Sequence, residues 1–114
     1  MAPGCPDFEE LCEFALGYLI TGRGDARQLA ATMVKAYPDL PVLELVLILS
    51  SAASGLESTF SNAEARAQAV DAWRIAALLA VDLHLMAGHH AKGQKARDLL
   101  GFWEAEDDFF LRAG

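Results

Sequence analysis

Residues 63–87 read AEARAQAVDAWRIAALLAVDLHLMA, and the placement of the few polar side chains in this Ala-rich run decides the fold. At about 100° per residue, Glu64, Asp71 and Asp82 fall within roughly 20° of one another. Ile75, Ala76, Ala77, Leu78, Leu79, Ala80 and Val81 point in most of the other directions. A helix with so little polar surface is expected in the middle of a bundle, with one thin acidic stripe offered to water. Ser61, followed three residues later by Glu64, has the pattern of a capping box and marks the start, and Gly88, where a left-handed cap costs no strain, marks the stop.

The preceding apolar run, Val42 to Ala53, is expected to be the main partner of this helix. Leu43, Leu45, Val46, Leu47, Ile48 and Leu49 surround its axis, Glu44 is its lone charge, Asp39 is a cap candidate, and Pro41 is tolerated in a first turn. A buried strand over Leu45 to Leu49 competes, because a short apolar run is ambiguous by periodicity alone. No alternation of period two supports it, and β-branched residues are few. Ser54 to Phe60, with Gly55, reads as the linker between the two helices.

Towards the N-terminus, Pro6 and Asp7 open a helix running to about Ile20, with Glu9 and Glu10 at the positive end of its dipole. Phe8, Leu11, Cys12, Ala15, Leu16, Leu19 and Ile20 form its apolar face. Thr21 to Gly24 is a turn, Asp25 caps a second amphipathic helix carrying Leu29, Ala30, Met33, Val34 and Tyr37, and Pro38 ends it. So short a connection makes the two antiparallel neighbours. Beyond a turn at His89 to Gly93, a last helix is expected to start between Gln94 and Asp98 and to carry Leu99, Leu100, Phe102, Trp103, Phe109, Phe110 and Leu111. Gly101 weakens it by ~1 kcal/mol relative to alanine. The expectation is an all-α single domain over residues 1–114, a bundle of four to five helices with a long buried central helix at about 63–87.

A chain of 114 residues is long enough to bury a core without staples. Its apolar fraction, 54%, exceeds the usual ~45–50%, which raises the expectation that some apolar side chains cover a partner. Sixteen acidic against nine basic residues give a net charge of −7, which repels phosphate backbones, so no nucleic-acid partner is expected. Cys5 and Cys12 would lie ~10 Å apart along a helix, beyond disulfide reach, and read as reduced thiols in a cytoplasm. No basic start followed by an apolar run is present, so no leader is expected. Leu40 to Leu56 is interrupted by Pro41, Glu44 and three serines and falls short of the ~20 residues of a membrane span, so no membrane is expected either.

No catalytic constellation is assembled in the sequence, and no cofactor is implied. Glu64, Asp71 and Asp82 are too widely spaced along the helix to act on one bond and are expected to face water. The serines between Ser50 and Ser61 lack a G-x-S-x-G context. Trp73 and His84 are polar residues expected on the core side of the central helix, sharing a face with Ala77 and Ala80 between them, and small residues there admit either a close neighbouring helix or a ligand. His84, His89 and His90 cluster at the exit of that helix, but their H-x4-H-H spacing matches no helical metal pair, and a third ligand would have to come from Glu104, Asp107 or Asp108. Lys92, Lys95 and Arg97 form a local basic reversal in an acidic chain, where an anion could sit at a helix start. They also suit a solvated helix start complementary to the acidic Glu104, Glu106, Asp107 and Asp108. An anionic metabolite at Trp73, His84, His89, His90, Lys92, Lys95 and Arg97 ranks above a metal at the three histidines, because nearby cations disfavour binding a cation. Ahead of both stands a non-enzymatic, cytoplasmic regulator or assembly module that binds a protein. It is expected to form a homodimer, with the interface around the third helix and the Phe102, Trp103, Phe109, Phe110 group.

Overall fold

Most helices begin where a side chain takes up free backbone N–H groups. A computed structural model describes residues 7–89, 94–106 and 108–112, with the side chains of Gly88 and His89 outside that description. Pro6, Cys5, His90, Lys92 and Asp107 therefore lie outside the described residues. Helix α1 (Phe8–Ile20) starts at Asp7, whose Oδ1 accepts from Glu10 N–H at 2.9 Å. Helix α2 (Ala26–Ala36) starts at a complete capping box between Asp25 and Gln28. Helices α3 (Val42–Thr59) and α4 (Ala63–His89) pack centrally, and α5 (Ala96–Ala105) is followed by a 3-10 turn at Phe109–Leu111. The protein is thus an all-α globule of five helices, and the run Leu45 to Leu49 is helical.

Helix α1 lies along α3, while α2 bridges α4, α5 and the C-terminal turn. Leu11 and Leu19, Leu29 and Met33, Leu45 and Ile48, Ile75 and Leu79, and Leu99 and Trp103 come from the five helices in turn and are fully buried. Each such large side chain contributes about 1.5–3 kcal/mol by leaving water. Phe110 closes the core by stacking on Trp103, with ring centroids 4.4 Å apart, and Phe109 meets Phe110 edge-on. The aromatic group that the sequence offered for a dimer interface is therefore turned inward: Trp103 and Phe110 are buried, and Phe102 and Phe109 are half-buried.

Helix α3 does not stop at Ala53. Ser50 and Ser58 donate their hydroxyls to the carbonyls of Val46 and Ser54, at 2.9 and 2.8 Å, so the serines are satisfied inside the helix. Leu56 extends the buried face by another turn. Gly55 lies beneath α1, where a Cβ would meet Leu16 Cδ2 at 3.5 Å. The linker shrinks to residues 60–62, which makes α3 and α4 an antiparallel hairpin. The cap of α4 is Asn62, whose Oδ1 accepts from Ala65 N–H at 2.7 Å, whereas Ser61 uses its carbonyl to hold Arg66 Nη2. Helix α4 then continues through Gly88 to His89. Asp39 caps nothing. It pairs with Arg97 and Lys95, and α3 is entered instead through Val42 N–H donating to the Gln94 carbonyl at 2.9 Å.

The acidic stripe of α4 points opposite to the expected direction. Asp82 is only 7% exposed and accepts the indole N–H of Trp103 at 3.0 Å. Asp71 is half-buried, with Oδ2 at 3.4 Å from Ala26 N–H at the start of α2 and Oδ1 3.6 Å from Arg74. Glu64 alone of the three is exposed. Donors on α2 and α5 make burial of these carboxylates cheap. Helix α4 keeps its central position between α3 and α2, with a largely apolar side facing out.

Candidate functional site

That outward side is the most distinctive surface among the described residues. On α4, Val70 (66% exposed), Trp73, Leu78, Val81 (53%) and Leu85 are open to solvent, and on α3 so are Leu43 (57%) and Leu47. Val70, Trp73, Ala77, Ala80, His84 and Ala87 are all exposed and follow one another at alternating steps of three and four, the spacing of a helix–helix seam. From Ala67 to Ala87 the exposed residues of α4 include no carboxylate, and only Arg74 and His84 can carry charge. Trp73 Nε1 donates to Glu57 Oε1 at 2.6 Å, which ties the two helices together and fixes the indole at the boundary between them. Because the hairpin is antiparallel, Leu43 and Leu47 lie beside the C-terminal half of α4.

The residues singled out for a ligand are placed as follows. Trp73 and His84 share one face, as their spacing predicts, with Ala77 and Ala80 between them, but that face, expected against the core, looks outward, and no helix among the described residues covers it. His89 belongs to the last turn of α4, its side chain lies outside the described residues, and so do His90 and Lys92. Lys95 and Arg97 stand at the start of α5, both exposed and both directed to Asp39. Their charge is thereby partly neutralised by a residue outside the acidic tail. Among the described residues, no group of three His, Cys, Asp or Glu is arranged to hold a metal ion.

A cleft of ≈ 370 Å³ that was not legible in the sequence lies where α2 begins against α4, lined by Asp25, Glu64, Gln68 and Asp71 beside Leu19 and Ala67. Three of its four polar side chains are already engaged, while Glu64 is exposed: Asp25 caps α2, Gln68 Nε2 donates to the Leu19 carbonyl at 2.7 Å, and Asp71 takes the bonds described above. Among the described residues, α3 is the one helix long and apolar enough to cross a membrane. Val42, Leu45, Ile48, Leu49, Ala52, Ala53 and Leu56 are buried against the other helices, while Leu43 and Leu47 are exposed. Comparisons with protein-family models, with curated proteins and with solved structures find no match to this chain.

Proposed function

We propose that this protein is a non-enzymatic helical interaction module, a homodimer that works as a small cytoplasmic regulator or assembly protein through the outward face of α3 and α4. The observation that carries this is the set of exposed apolar side chains on two adjacent helices, Leu43 and Leu47 on α3 and Val70, Trp73, Val81 and Leu85 on α4. So many exposed apolar side chains on one pair of helices mark an interaction surface. Helices of 27 and 18 residues are present. At these lengths they run about 40 and 27 Å, each about 10 Å wide, and so offer a face of roughly 600–700 Å². That is close to the ~800 Å² each partner of a stable pair buries. Light scattering at tens of micromolar should give a mass near twice the 12.3 kDa of the chain. A mass of one chain at that concentration would remove the dimer.

A further inference from the structure

We infer that two copies pair through α4 lying antiparallel on α4 of the second copy, with the two-fold axis passing between Ala77 and Ala80, so that each Trp73 lies against the partner's His84. This rests on the homodimer proposed above and specifies its geometry.

Three observations lead to it. The first is the order of sizes along the seam. About a midpoint between Ala77 and Ala80, an antiparallel pairing sets Val70 opposite the partner's Ala87, Trp73 opposite the partner's His84, and Ala77 opposite the partner's Ala80. Large meets small at the ends, ring meets ring between, and two small residues at the axis let the backbones approach to the short end of the 8–10 Å range for packed helices. A parallel pairing would instead set Val70, Trp73, His84 and Ala87 each against its own copy, large on large and small on small.

The second is charge. The chain carries −7, yet the α4 residues of the seam include no carboxylate, and the one beside them, Glu57, is hydrogen-bonded to Trp73, so like-charge repulsion at the contact is small. The remaining cation, Arg74, would face its own copy side by side in a parallel pair. In the antiparallel one the two lie ~13 Å apart along the axis, beyond a Debye length of about 10 Å.

The third is preorganisation. The indole of Trp73 is held by Glu57 while 40% of the residue stays exposed, so an aromatic anchor is fixed before any partner arrives. Leu43 and Leu47, beside the C-terminal half of α4, then flank the partner's Val70 and Trp73, which completes a four-helix arrangement across the axis.

The test uses the full chain with Cys5→Ser and Cys12→Ser as background. An equimolar mixture of Val70→Cys and Ala87→Cys variants, oxidised under native conditions, should give a mixed covalent dimer that mass spectrometry distinguishes from either self-dimer. Val70→Cys alone should not cross-link, because its two thiols would be ~25 Å apart along the axis. Self-cross-linking of Val70→Cys, or no mixed product from a protein that still sediments as a dimer, would overturn the arrangement while leaving the dimer standing. A monomeric unmodified protein would overturn both. Independently of cysteine chemistry, Ala77→Arg should raise the dimer dissociation constant at least about 30-fold. Ala36→Arg, exposed on α2, should leave it unchanged. Equal dissociation constants for the two variants would likewise overturn the arrangement.

Discussion

Asp82 and Trp103 are 21 positions apart in the chain, and their hydrogen bond joins α4 to α5 inside the core. Asp82→Ala leaves a buried indole N–H without this acceptor, which is expected to cost about 1–3 kcal/mol in a urea melt, whereas exposed Glu64→Ala should stay within about 0.5 kcal/mol. The two acids look alike in the sequence, because the spacing that groups Glu64, Asp71 and Asp82 on one stripe says nothing about which donors will face that stripe. The helix cap shows the same limit over a single residue. Ser61 and Asn62 are both good caps, but only Asn62 reaches the N–H of Ala65. Asn62→Ala should therefore lower stability by ~1 kcal/mol and Ser61→Ala by much less, as read from thermal melts followed by circular dichroism.

At the scale of elements, helical periodicity located all five helices, and the boundaries of α1 and α2 match their Asp caps, but α5 ends at Ala105, and Phe109, Phe110 and Leu111, expected on it, form a separate 3-10 turn. The end of α3 was hidden because Ser54, Gly55 and Ser58 have the composition of a linker, and local preference there yields to the burial of Leu56 and the approach of Leu16. Glycine inside a helix is a cost that only tertiary crowding justifies. At Gly55 an added methyl would meet Leu16 at ordinary van der Waals distance, and at Gly101 in α5 nothing lies within 4 Å. Gly101→Ala should accordingly stabilise the protein by about 0.5–1 kcal/mol, and Gly55→Ala should do so without loss of packing. Gly22 differs, since its φ of 71° lies in the left-handed region. Gly22→Ala should destabilise the α1–α2 turn by about 1 kcal/mol, so the three variants ranked by melting temperature test the backbone directly.

At the scale of the whole molecule, the sequence predicted that α3 and α4 form the centre, but not which side of α4 is covered. A helix apolar nearly all round gives periodicity too weak to choose a side, and the choice falls to the donors supplied by α2 and α5, which draw the carboxylates inward. The seam of Val70, Trp73, Ala77, Ala80, His84 and Ala87 was partly legible, since Trp73, Ala77, Ala80 and His84 share a face by spacing alone. That this face looks outward depends on contacts far along the chain. The central claim is that this face is buried between two copies. Sedimentation equilibrium of a Leu47→Glu, Val70→Glu double variant beside the unmodified chain tests it most directly, because both positions are about half exposed or more and their replacement leaves the core intact. The unmodified chain is expected at twice 12.3 kDa and the variant at 12.3 kDa, with identical helical circular dichroism. A variant that stays dimeric, or an unmodified chain that sediments as a monomer, would contradict it.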